Sequence, residues 1–175
     1  EFFARYLKSP DQRPIASPND PSVIASPADS KPQGVWKIDK NSNIVEKNGV
    51  RIKSTLFKSV VALIGKDSAY KDAFANGTLT HTFLDVNDYH RYHLPIGGTV
   101  KEVRTILSDD AAGGITTWDA KAKRYILESS TPGWQNIETR GCVIIETKEY
   151  GLVALLPIGM SQVSSVNFEK EVQAG

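Results

Sequence analysis

Between residues 77 and 107 the chain alternates. GTLTHTFLDV and GTVKEVRTIL set apolar against polar positions at a period near two, as a half-buried strand does. CVIIETKEYGLVALLPIGMSQVSSVNF supplies two or three further strands, the first pair joined near Lys148–Gly151. Upstream, VWKID and NIVEKNGVRIK read as a hairpin with its turn near Asn48-Gly49. One stretch changes period. STLFKSVVALIG carries apolar residues at 56, 57, 60, 61, 63 and 64, which fits one helical face stopped by Gly65. DSAYKDAFANG predicts a second short helix, closed by Asn76-Gly77. Residues 1–8, EFFARYLK, read as a helical turn that docks on a larger body, and 108–124 as a long polar loop.

Residues 9–34 are rich in Pro, Ser and Asp, which excludes a helix interior or a central strand. Ile15, Val23 and Ile24 recur through them, so the stretch is expected to wrap a core as an ordered loop. No internal repeat interrupts the chain. The sum is an α+β fold, mainly antiparallel β with a few short helices, in a single domain over 1–175.

Composition narrows the function classes. Net charge is +1 over 175 residues, so bulk electrostatics favour neither nucleic acid nor an acidic membrane surface. No run approaches the ~18 apolar residues of a membrane span. Cys142 is the one cysteine, which excludes an intrachain disulfide and a cysteine-based metal site. It lies in the apolar run CVIIE and is expected to be a buried small hydrophobe. Lys101 and Arg104 are expected on a solvated strand face.

Candidate chemistry concentrates in DYHRYHLP, residues 88–95, which holds two of the three histidines, His90 and His93. On a helix a three-residue spacing would give half a metal site. Pro95 and the surrounding β pattern argue for extended chain, where that spacing puts the rings on opposite faces. Two roles then fit better than one shared ligand pair, and no metal is expected. One surface histidine and one structurally bonded histidine would also account for the pair. A histidine is the natural proton shuttle near neutral pH; its candidate carboxylate partners are Asp85, Asp88 and, at longer range, Asp29 in SPADS. Asp29 is equally a candidate turn former. GxGxxG, GxxxxGK[ST] and G-x-S-x-G are all missing, so the common phosphate cradles and the nucleophile elbow are excluded. Ser161, Ser164 and Ser165 are expected to pack or face solvent along a strand.

FFARYLKSPDQRPI, SPADS and DYHRYHLPIGGTV, in that order, resemble the phosphatidylserine decarboxylase family. IKSTLFKSVVALIG and LVALLPIGMSQVSSV resemble the stretches before and after the histidine motif, so the likeness covers nearly the whole chain. The resemblance implies a self-processing, pyruvoyl-dependent decarboxylase. Such a precursor cuts itself ahead of a serine. The large piece is the β subunit, which this chain resembles; the small α subunit begins with that serine converted to a pyruvoyl group and completes the sheet. The resemblance gives His90 to the decarboxylation step as the proton-transfer residue. It gives His93 and Asp29 to an Asp-His-Ser triad for self-cleavage, with His93 as the base. The serine lies on the other piece. The chemistry is coherent: a carboxylate orients a base, which activates a hydroxyl. In turnover the substrate amine forms an imine with the pyruvoyl carbonyl, which acts as electron sink.

Two departures stand out. Ser30 follows Asp29, where the family usually has Gly. The chain stops at Gly175 in EKEVQAG, whereas the family normally continues through a Lys- and Gly-rich turn to its Gly-Ser cleavage point. The start at Glu1, without Met, leads one to expect residues upstream. Relatives act on phosphatidylserine at a membrane or on free amino acids. Residues 109–141, with Trp118, Tyr125 and Trp134, are longer and more aromatic than expected of the lipid enzymes. As walls of a pocket they favour a free amino acid, aromatic ones included, and a cytoplasmic enzyme, though the same side chains would equally pack a core or a subunit contact; phosphatidylserine, with a peripheral membrane location, is the alternative. An inactive binding relative is a third reading, and αβ units that assemble into a homo-oligomer are compatible with all three.

Overall fold

The computed structural model describes residues 2–45, 51–52, 55–56, 59–107, 115–121, 123–128, 139–159 and 165–175. Ten strands are present among them, every pairing antiparallel. β1 (Lys31–Ile38) lies between β2 (Ile44–Val45) and β5 (Thr78–Phe83). β9 (Arg140–Thr147) lies between β6 (Thr99–Ile106) and β10 (Gly151–Leu155). Two hairpins stand apart: β3 (Arg51–Ile52) with β4 (Thr55–Leu56), and β7 (Ile115–Asp119) with β8 (Arg124–Glu128). With so little helix beside so many strands, the mainly antiparallel α+β expectation holds.

The core forms where the two three-stranded sheets meet α1 (Val60–Ile64). Ile38 from β1, Val60 and Ile64 from α1, and Cys142 and Ile144 from β9 make one buried cluster. Trp36 and Leu63 make a second beside it. β9 is buried along almost its whole length, which explains its unbroken apolar run CVII. Cys142 is fully buried, and desolvation pushes its thiol up to about 11, so it packs rather than reacts. In β1 the register shifts between Pro32 and Gly34, and the Trp36 indole lies where a Cβ on Gly34 would be, 2.5 Å away.

α1 keeps the predicted spacing, since Val60, Leu63 and Ile64 are its buried residues, but it is shorter than predicted. Ser59 is extended, at φ −148° and ψ 131°, and its hydroxyl accepts from the Val61 N–H, so the helix starts there. Leu56 belongs instead to β4. The far end stops at Gly65, φ 93°, as predicted. Its last carbonyls have unusual partners. Arg140, 5% exposed, donates from Nε to Leu63 O at 2.8 Å and from Nη2 to Ala62 O at 2.8 Å. Arg104 donates from Nη2 to Ile64 O at 2.6 Å. The second sheet thereby caps the helix. Arg104 also pairs with Glu102 at 2.6 Å, so it is not the solvated side chain expected; Lys101, bonded to Glu146, is exposed.

Other expectations are corrected. Residues 67–77 form successive turns, not a helix, with i→i+3 bonds such as Ala73 N–H to Tyr70 O. Side chains divert the donors a helix needs: Ser68 Oγ takes the Tyr70 N–H and Glu102 takes the Ala69 N–H. The stretch still closes at Asn76, φ 60°. The first hairpin turns at 39–43, where Asp39 accepts from the Asn41 and Asn43 N–H groups at 2.8 Å each. Asn48-Gly49 lies outside the described residues. β7 and part of β8 occupy the stretch read as loop. Residues 2–8 show a turn but no helix, and the short 3-10 turn is Pro10–Gln12. Beyond Leu155, an isolated bridge joins Arg140 to Ile158, and Ser161 and Ser164 lie outside the described residues.

Candidate functional site

The histidine segment leaves β5 and returns through Gly97-Gly98 to β6. Residues 89–95 are irregular, not a strand. Gly98 is required by contact, because a Cβ there would sit 2.4 Å from Glu146 O. What fixes the segment is a second piece of irregular chain. Ala25 N–H donates to Pro95 O and His93 N–H donates to Pro27 O, each at 2.8 Å. Asp29 is two residues beyond Pro27. The end of the Pro-rich stretch is also tied to β5 through Ser30 Oγ and Thr82 Oγ1, 2.8 Å apart, so Ser30 supplies a tether where the family usually has Gly. Ile15 and Ile24 do not anchor that stretch; they are 74% and 50% exposed.

The two histidines have different surroundings. His90 is half-buried, with Nδ1 2.9 Å from Asp88 O and its ring edge-on to Phe3, centroids 4.8 Å apart. A carbonyl only accepts, so this bond assigns the proton to Nδ1 and leaves Nε2 to exchange one. His93 is exposed and stacks on the buried Tyr89 at 5.8 Å. Asp29 accepts at both carboxylate oxygens from Arg13, with Nε at 2.7 and 2.8 Å and Nη2 closer still. That bond holds the Asp29 carboxyl below its usual range against the opposing effect of partial burial, and His93 adds in the same direction. Among the described residues no side-chain bond joins Asp29 to His93; their segments are joined through the backbone. Asp88 meets His90 through its carbonyl only, and the Asp88 carboxylate and the Asp85 backbone bond to each other.

Sequence reasoning missed the groups that hold this site. Arg5 donates to Asn87 O at 3.0 Å and to Asp88 O at 2.7 Å, the same carbonyl that His90 meets. Arg91 donates to Ala4 O at 3.1 Å, covers the Tyr6 ring at 3.8 Å and pairs with Glu169. Arg5, Lys8, Arg13, Asp29, Asp88 and Tyr89 line an open polar depression of about 370 Å³. Of the three predicted residues, only Asp29 lines it. The available signal is FFARYLKSPDQRPI itself, which carries both Arg5 and Arg13.

Asp29 and the two histidines thus lie on irregular segments joined by backbone bonds on an antiparallel β body, and their residue types suit acid–base chemistry. The model of the family described as phosphatidylserine decarboxylase matches residues 1–175, and the chain belongs to that family. Phosphatidylserine decarboxylase proenzyme of Escherichia coli is 35% identical over 166 residues, 95% of this chain and 45% of that protein. Phosphatidylserine decarboxylase proenzyme 2 of Oryza sativa is 32% identical over 171 residues, 98% of this chain and 24% of that protein. Decarboxylase iboD of Amanita muscaria is 28% identical over 174 residues, 94% of this chain and 48% of that protein. The chain thus spans less than half the length of each of these three relatives. Among the described residues no helix is long and apolar enough to cross a membrane.

Proposed function

We propose that residues 1–175 are one domain, the β subunit of a self-processing, pyruvoyl-dependent decarboxylase that removes the α-carboxylate of an amino acid. The observation that carries the reading is the backbone tether of His93 to Pro27, which brings the SPADS carboxylate to the histidine segment. The name proenzyme, borne by several relatives, supports self-processing. In this reading His93 takes the proton of the attacking hydroxyl, and Asp29 orients His93 and offsets its charge. The serine comes from the small α subunit of the same precursor. β10 has one strand partner among the described residues, so its other edge can be extended by a strand of that subunit.

The pyruvoyl group supplies, when present, an electron sink for decarboxylation. The residues here fit it: the reaction leaves a carbon that must be protonated, and His90 keeps Nε2 for that transfer while Asp88 O holds the ring in one tautomer. Arg5 holds Asp88 O in turn. Phe3 packs against the ring and limits its rotation.

The substrate proposed is a free L-amino acid, aromatic ones first, handled in the cytoplasm. Trp118 supports it, since β7 leaves this residue 56% exposed. Tyr125 is in β8, and Trp134 lies outside the described residues. The names of the Escherichia coli and Oryza sativa relatives favour a second reading, phosphatidylserine at a membrane surface. Carbon dioxide release from the full-length protein, given L-tryptophan, L-tyrosine or phosphatidylserine vesicles, separates the two. Release from the free amino acids supports the first and release from vesicles alone the second. Release from none, by a protein whose mass remains that of a single chain, would overturn both.

A further inference from the structure

We propose that Arg13 is a positioning residue for self-cleavage, gripping both oxygens of Asp29 to fix that carboxylate beside the His93 segment. The inference rests on the triad reading above and adds a member to it. Among the described residues, every side-chain hydrogen bond that Asp29 accepts comes from Arg13. The guanidinium is itself held, since Nη1 donates to Gln12 O at 2.7 Å. The turn beneath it is closed at both ends: Ser9 Oγ accepts the Asp11 N–H, and the Arg13 N–H donates to Pro10 O at 3.0 Å. Gln12 Oε1 also accepts the Lys8 N–H at 3.0 Å. The forked guanidinium therefore projects from a locally braced turn, whereas Asp29 projects from a loop tied mainly by backbone bonds.

An orienting carboxylate must hold one rotamer and stay charged while the base works. Two donor atoms, Nε and Nη2, on one oxygen pair do the first; the adjacent cation does the second. The charged and titratable groups around the pair are His93, which acts on Asp29, and Tyr89 and Asp88, which act on Arg13. Without Arg13 the depression would hold Asp29 and Asp88 with only Arg5 and Lys8 as cations, and Arg5 is engaged with backbone carbonyls. Asp29 would then take up a proton at higher pH, and cleavage would fail earlier as the solution is acidified.

The test is the rate at which the full-length precursor becomes two chains, followed from about pH 3 to about pH 9 so that the range spans the ordinary carboxylate value. Arg13→Gln should slow cleavage about tenfold or more near neutrality and move the acid limb of the profile to higher pH. Arg13→Lys keeps the charge without the fork and should slow cleavage less, with the limb nearly in place. Asp29→Asn is run alongside. If Asp29→Asn cleaves normally, the triad reading fails; if it is blocked while Arg13→Gln cleaves at or above the wild-type rate, the inference alone fails. A uniform loss with an unmoved limb would make Arg13 a structural brace and also overturn it. Should Arg13→Gln not fold, Arg13→Lys decides, and a wild-type rate there would overturn the proposal.

Discussion

Around α1 the protein is held from within. Ile38, Ile64, Cys142 and Ile144 exclude water, and Arg140 and Arg104 reach inward to the helix carbonyls. Around His90 and His93 it is held from outside. There the fasteners are backbone bonds between irregular segments and arginines lying across partly exposed surface. Buried apolar contacts cost several kcal/mol to remove, whereas exposed ion pairs contribute about 0–1 kcal/mol each. The first region should therefore govern stability and the second chemistry.

The comparison can be broken at either end. Asp29→Ala should slow self-cleavage about a thousandfold or more while barely moving the melting temperature. Gel analysis of freshly made precursor and a thermal melt of the same sample check both halves. A large fall in melting temperature would show that the site loops carry the fold. Ile144→Ala should do the reverse, costing about 2–5 kcal/mol in denaturant titrations because the surrounding cluster cannot collapse into the space. Arg140→Met sharpens the contrast, since it keeps apolar bulk but takes the donors from Ala62 O and Leu63 O; about 2–3 kcal/mol should be lost.

A pH series gives a smaller effect. Burial favours the neutral form of Glu102, but bonds from Ser68, Arg104 and the Ala69 N–H outweigh it and hold the carboxyl below its ordinary value of 4.5. A carboxyl lowered on folding stabilises above that ordinary value and loses its contribution as pH falls through the folded one. Glu102→Gln should flatten the acid fall in melting temperature by an amount corresponding to about 1 kcal/mol. The smallest effect is expected at Ile15, where Ile15→Ser should change stability by less than about 0.5 kcal/mol.

Legibility in the sequence follows the same division. Period-two alternation placed β5 and β6, and the apolar run in CVIIE placed β9, because burial on one or both faces imposes those patterns. The face of α1 was readable, but its start was not: the Ser59 cap cuts the apolar run, and nothing in hydrophobic spacing marks which serine will cap. The turns at 67–77 depend on Glu102, 33 residues from Ala69, which a local pattern cannot contain. His90, His93 and Asp29 were found through motif resemblance; Arg5 and Arg13 were passed over because an arginine in a loop has no period. Their partners, Asp88 O and Asp29, are 83 and 16 residues away.

In the proposed reading the two histidines serve two different steps. The most direct test compares His90→Ala and His93→Ala in the full-length protein, by intact mass under denaturing conditions and by carbon dioxide release. His90→Ala should yield two chains, the smaller with a blocked N-terminus, yet lose turnover about a hundredfold or more. His93→Ala should remain one uncut chain. An uncut His90→Ala protein, or a His93→Ala protein that cuts itself normally, would contradict the division of labour.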